Sequence, residues 1–183
     1  MNKTVKYALF LLVIGIIAGG LLALVNSFTA PIIEERQRQA VMEALGEHFD
    51  YPSYSLDKAA DYPERNSAIE SIYYAFDEED NLAAVIYKVS AKGYGGQVVT
   101  LVGIKADGTF DNAVVIEANN ETQGIGSRVL EHDFGVKDEN VNDYSYDTVS
   151  GATVSSGAVH TGIDVAAAHF KTIQGSLGGI KNE

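Results

Sequence analysis

Gln97-Val98-Val99-Thr100-Leu101-Val102-Gly103-Ile104-Lys105 and Thr109-Phe110-Asp111-Asn112-Ala113-Val114-Val115-Ile116-Glu117, separated only by Ala106-Asp107-Gly108, decide the fold class of this chain. Both runs are rich in β-branched and aromatic residues, which suit a pleated surface, and Asp-Gly between them is a strong hairpin turn signal. Strands joined by so short a turn run antiparallel, because a parallel pair needs a crossover of a dozen residues or more. Toward the amino end, residues 82–91 and 71–76 add two strand candidates, linked by Asp77-Glu78-Glu79-Asp80-Asn81. Toward the carboxyl end, residues 127–131 read as a short helical turn. Residues 154–173 read as a helix, with Val159, Ile163, Ala166, Ala167 and Phe170 recurring as a core-facing stripe. The expected fold is α+β: a mainly antiparallel sheet with flanking helices.

The amino-terminal end is of another kind. From Val5 to Val25 the residues are mostly Leu, Ile, Val, Ala, Phe and Gly, with Lys6 the one charge, which is about the length that spans hydrocarbon. A cleaved signal peptide has a shorter apolar region, and Pro31 directly follows the nearest small-residue site, Thr29-Ala30. One transmembrane anchor is therefore expected over residues 1–28. Pro31 is suited to open a second helix, in which Ile32, Ile33, Val41, Leu45 and Phe49 form an approximate amphipathic pattern. Residues 50–66, with Tyr51, Pro52, Tyr54, Tyr62 and Pro63 among acids and small polar residues, read as irregular connection. The expected organisation is an anchor over 1–28, an amphipathic helix and connection over 29–66, one domain over 67–175 and a flexible tail over 176–183.

Composition excludes several kinds of chemistry. The 183 residues contain no cysteine, so a cysteine-ligated iron–sulfur cluster, a C-x-x-C-H haem site and a disulfide are all ruled out. The four histidines, His48, His132, His160 and His169, lack the spacing of a known metal motif, and no metal site is expected. The formal net charge is −12. With Lys3 and Lys6 near the amino terminus and no acid preceding Glu34, the remainder is more acidic still, and it repels nucleic acid and anionic lipid headgroups. Lys3 and Lys6 are only partly balanced by Arg36 and Arg38 beyond the span, a modest bias toward a cytoplasmic amino terminus.

Chemistry concentrates in Asp147-Thr148-Val149-Ser150-Gly151-Ala152-Thr153-Val154-Ser155-Ser156. Gly151 and Ala152 leave room for a large partner to approach the Thr153 hydroxyl. A helix starting there presents unpaired N–H groups and a positive dipole end to a phosphate. On spacing alone, the segment reads first as an ordinary helix start.

Asp147-x-x-Ser150-Gly151-Ala152-Thr153 resembles the flavinylation motif of the FMN-binding domain family, whose members include the G subunit of the Rnf complex and the C subunit of the sodium-pumping NADH:quinone reductase. Gly93-Tyr94-Gly95-Gly96, Asp107-Gly108 and Glu121-Thr122-Gln123-Gly124-Ile125-Gly126 resemble further landmarks of that family in the same order. Gln123 stands where the family usually has proline. The resemblance implies FMN joined covalently to Thr153 by a phosphoester, with Ser150, Gly151, Ala152, Glu121, Thr122, Gly124, Gly126 and Tyr94 around it. It also implies a separate flavin transferase for attachment, other subunits of a membrane Rnf-type complex as partners, and a flavin domain on the extracytoplasmic side of the cytoplasmic membrane. The function implied is electron transfer within an Rnf-type ferredoxin:NAD⁺ oxidoreductase that moves Na⁺ or H⁺, with no complete active site in this chain. A component of the quinone reductase, a stand-alone flavin carrier and an anchored assembly module without flavin are the alternatives.

Overall fold

A computed structural model describes residues 3–57 and 65–181. The chain divides into two compact units, Met1–Glu43 and Ala44–Glu183.

The described part of the first unit is helical and belongs to α1, Lys3–His48. Among the described residues, α1 is the one helix long and apolar enough to cross a membrane, and its apolar stretch is wholly exposed. The expected break at Pro31 is absent: the proline lies inside the helix. Proline removes one i→i−4 hydrogen bond and crowds the preceding turn. Here hydroxyls stand in that turn, with Ser27 Oγ donating to the Leu24 carbonyl at 2.8 Å and Thr29 Oγ1 to the Val25 carbonyl at 2.9 Å. Such side-chain bonds bend a helix without ending it.

The second unit is built on a five-stranded antiparallel sheet in sequential order: β1 Ser53–Asp57, β2 Ile69–Phe76, β3 Leu82–Lys92, β4 Gln97–Lys105 and β5 Phe110–Glu117. The four expected strands are present within two residues at each end. β1 is the addition. It pairs with β2 from Ser53↔Phe76 to Asp57↔Ile72, in a stretch read as irregular: its alternation of Tyr54 and Leu56 with Ser53, Ser55 and Asp57 is only five residues long and lies among prolines and acids that signal connection. The rest of that expected connection, with Tyr62 and Pro63, lies outside the described residues.

Cross-strand register sorts the sheet into two faces. The row Tyr74↔Val85↔Ile104↔Phe110 belongs to the main core, which α2, Thr153–Ile173, covers by packing on β3 and β4. The expected stripe Val159, Ile163, Ala166, Ala167 and Phe170 is buried to 1% exposure or less. Gly162 lets the helix lie close, with its Cβ position 3.6 Å from Thr100 and 3.7 Å from Val89. Tyr87 is fully buried beneath the helix, its hydroxyl 3.2 Å from His169 Nδ1, so the one polar atom of that ring is partnered.

The row Tyr73↔Ile86↔Gly103↔Asn112 faces the other way. There the end of α1 is held by Phe49, whose ring occupies the hollow over Gly103: a Cβ on Gly103 would lie 2.4 Å from Phe49 Cε1. Tyr54 Oη donates to the Leu45 and Phe49 carbonyls at 3.1 and 2.7 Å, and Asn112 Nδ2 donates to the His48 carbonyl. Tyr51 Oη donates to Asp111 at 2.9 Å; burial, and then the Asp111 charge, push its ionisation well above the usual tyrosine range. Within the segment expected to be the tail, residues 174–179 form a 3₁₀ helix with Leu177 buried, and Lys181 bridges Asn81.

Phe49 and Gly103 are expected to behave as one packing unit. Phe49→Ala should cost about 3–5 kcal/mol through the cavity left behind, and Gly103→Ala about 1–3 kcal/mol through overpacking. The double variant should lose less than the sum, because the new methyl enters the vacated space. Denaturant unfolding of the four proteins in detergent measures this; strict additivity would contradict the contact.

Candidate functional site

Three segments converge at one end of the sheet. The first is the β3–β4 turn, residues 93–96, closed by Gly93 N–H donating to the Gly96 carbonyl at 2.7 Å. The second is the loop after β5, where the Thr122 carbonyl accepts from Ile125 N–H and Ser127 N–H at 3.2 and 3.1 Å. This turn closes with Gln123 in place of the family's usual proline, since the Thr122 carbonyl supplies the constraint. The loop leads into a 3₁₀ turn over Gly126–Leu130. The third segment is the start of α2. Gly151 has φ +84°, Ala152 is the residue before the helix, and no side chain caps that end. The loop into α2 is itself anchored: Val149 N–H donates to Ser156 Oγ at 3.0 Å, and the Asp147 carbonyl lies 2.8 Å from His160 Nε2.

Glu121 joins the three segments. It is 6% exposed, yet it accepts from Gly95 N–H on Oε1 at 2.9 Å and from Ser155 Oγ on Oε2 at 2.5 Å. This changes the meaning of the glycines. A Cβ on Gly93 would lie 2.4 Å from Glu121 Oε1, on Gly95 1.7 Å from the Asn120 carbonyl oxygen, and on Gly126 2.8 Å from Glu121 Oε2. These positions are bare so that the protein can close on itself around residues 120 and 121. Gly124 differs: its surroundings are open, and its φ of +75° is what favours glycine.

Between the segments lies a cavity of 480 Å³, lined by Tyr94, by Glu121, Thr122, Ile125 and Gly126, and by residues 151–155. That size suits a small-molecule or cofactor site. Seven of the nine residues expected at the site line it: Thr153, Gly151, Ala152, Glu121, Thr122, Gly126 and Tyr94. Ser150 and Gly124 do not. Ile125, Val154 and Ser155 line it without having been singled out. Ile125 and Val154 are large apolar side chains left about half exposed, a property with no signature in sequence.

Burial also sorts the hydroxyls. Of those in residues 150–156, Ser155 and Ser156 are buried at 1% and 0% and engaged with Glu121 and Val149. Ser150 is exposed but does not line the cavity. Thr153 is exposed and lines it; the other exposed hydroxyl in the lining is Thr122, which is not on a helix end. No Lys or Arg lines the cavity. An anion there would be received by the uncapped N–H groups of α2, a 21-residue helix, whose dipole favours negative charge at that end. The donor set, the room and the accessible hydroxyl fit a phosphorylated cofactor of FMN's kind.

Among the described residues no group of three or more His, Asp or Glu side chains is arranged to hold a metal ion. His160 stacks on Tyr146 at 3.8 Å between ring centroids, and His132 packs edge-on against Phe134.

Comparison with known proteins agrees with this geometry. Residues 93–168 match the family model of the FMN-binding domain, and residues 1–47 match that of the RnfG N-terminal region. The G subunit of the Na⁺-translocating ferredoxin:NAD⁺ oxidoreductase complex of Acetobacterium woodii is 27% identical over 186 residues, 88% of each chain. The G subunit of the ion-translocating oxidoreductase complex of Pseudoalteromonas atlantica is 26% identical, covering 97% of this chain and 93% of that one. Its Escherichia coli K12 counterpart is 25% identical, covering 97% and 96%. The crystal structure of Shewanella oneidensis NqrC shares the fold at a TM-score of 0.51 and 19% identity, over 71% of each chain. The resemblance to the FMN-binding domain family and the expected α+β fold are borne out.

Glycine substitutions separate the two uses of glycine at this site. Gly95→Ala should destabilise the domain by about 1–3 kcal/mol as the turn is pushed from Asn120. Gly157→Ala, in α2 with nothing within 4 Å of the new methyl, should stabilise it by about 0.5–1 kcal/mol. Thermal unfolding midpoints distinguish them, and a Gly95→Ala protein as stable as the parent would contradict the close approach.

Proposed function

We propose that this chain, which resembles the G subunit of Rnf-type complexes over nearly its whole length, is the membrane-anchored electron-transfer subunit of an ion-translocating ferredoxin:NAD⁺ oxidoreductase and carries FMN as a phosphoester on Thr153. The observation that carries this reading is one exposed threonine at the uncapped start of α2, opening into a 480 Å³ cavity inside the region that matches the FMN-binding domain.

Bound FMN supplies one- and two-electron chemistry that no side chain here offers. The chain's own residues hold and orient. Thr153 Oγ is the attachment atom, and the free N–H groups of the first turn of α2 face the phosphate's charge. Attachment forms the Oγ–P bond while the hydroxyl proton and the donor's leaving group depart. An unactivated threonine needs a base for that step. Glu121, the one carboxylate in the lining, already accepts on both oxygens from Gly95 and Ser155, which supports attachment by a separate transferase. The cavity presents no pair of acid and base groups, consistent with a carrier whose donor and acceptor are neighbouring subunits.

Orientation follows from the charges flanking the apolar segment. Lys3 and Lys6 lie at its amino end and Arg36 and Arg38 beyond it, a modest bias toward a cytoplasmic amino end that the likeness to Rnf G subunits supports. We place the amino end in the cytoplasm and the flavin domain on the far side of the membrane. The fold likeness to NqrC suits a component of the quinone reductase equally, but the match of residues 1–47 to the RnfG N-terminal region favours the Rnf type.

Membrane-expressed protein, run on a denaturing gel and viewed under ultraviolet light, is expected to fluoresce when a flavin transferase is co-expressed and to stay dark without it. Thr153→Val should abolish the band and Ser150→Ala should keep it. A dark parent band in the presence of transferase, or a bright Thr153→Val band, overturns the reading.

A further inference from the structure

Glu121 is an unusual residue to bury. Among the described residues it has no cationic partner, and taking a carboxylate out of water is costly unless its oxygens are satisfied. They are, by two donors from segments far apart in sequence: Gly95 N–H, 26 residues away, and Ser155 Oγ–H, 34 residues away. A carboxylate is the side chain that accepts on both oxygens and donates on neither. The space around it is reserved, since Cβ atoms at Gly93 and Gly126 would intrude on Oε1 and Oε2.

The two arms reach two different segments that line the cavity. Gly95 adjoins Tyr94, a lining residue that is 74% exposed. Ser155 lies two residues after Thr153, in the first turn of α2. We infer that Glu121 is a positioning residue for the modification site: its carboxylate ties the Tyr94 turn to the first turn of α2 and thereby holds the Thr153 hydroxyl in the one arrangement that accepts the flavin phosphate. It acts through Gly95 and Ser155 and not by touching the reacting atoms. The same bond withdraws the Ser155 hydroxyl from the cavity as a competing acceptor. Misplacing a reacting group by about 1 Å costs up to ~100-fold in rate, so a loosened first turn slows attachment before it threatens the fold.

This inference rests on Thr153 being the acceptor, and the test separates the two. Full-length chain in membranes is followed by in-gel fluorescence over time after transferase induction, recording both the rate and the final extent of labelling, alongside the unfolding midpoint in detergent. Glu121→Ala and Ser155→Ala are expected to label roughly 10- to 100-fold more slowly while reaching the parent's final extent. Glu121→Gln should recover most of the rate, because its oxygen can face Gly95 N–H while its amide donates to the Ser155 hydroxyl. If Glu121→Ala fails to fold, Ser155→Ala carries the test, since it leaves the Gly95 arm intact. Labelling of both variants at the parent rate overturns the inference, as does a final extent that falls in step with the folded fraction, which marks a purely structural role. A parent chain that takes no flavin overturns the Thr153 reading and this inference with it.

Discussion

The seating of α2 across β3 and β4 is the contact on which the rest of the second unit depends. Burying side chains such as Ile163 and Phe170 contributes about 1.5–3 kcal/mol each, and Gly162 lets the helix approach the strands. That docking fixes where the first turn of the helix falls, and so where Thr153 stands. The sheet must be an antiparallel meander for this to work, because its sequential hairpins leave the β3–β4 turn and the end of β5 beside the helix start. A site made of three separated segments is thus held by a single layer of helix on sheet.

Electrostatics give the cavity its character. It is lined by one buried carboxylate and by no cation, in a chain of net charge −12. An anionic group is therefore received by backbone N–H groups and the helix dipole, which are fixed in place and need no mobile side chain. Glu121 commits both oxygens to the scaffold, so its charge organises the walls of the site. Gly93, Gly95 and Gly126 serve that closure: they look like ligand-approach glycines in sequence and prove to be packing glycines in the fold.

The two units answer to different solvents. Among the described residues the apolar stretch of α1 is exposed along its length, which suits hydrocarbon. The second unit buries both faces of its sheet, one under α2 and the other under the end of α1, where Phe49 fills the hollow of Gly103.

Much of this was legible from local pattern. The β-branched runs and the Asp-Gly turn determined β4 and β5 and their antiparallel sense; periodicity determined α2; the long apolar stretch determined the anchor; and the motif ending in Thr153 determined the candidate attachment residue. Each of these is set by residues within a few positions of one another. Tertiary structure decided the rest. β1 exists because β2 offers an edge to pair with, α1 runs on through Pro31 where the residue type alone suggested a boundary, and Ile125 and Val154 stay exposed because nothing in the domain covers them. Which hydroxyl between residues 150 and 156 remains open to the cavity, and what Glu121 holds, depend on hydrogen bonds spanning 26 and 34 residues. No local window contains both partners of such a bond, so only the folded chain reveals it.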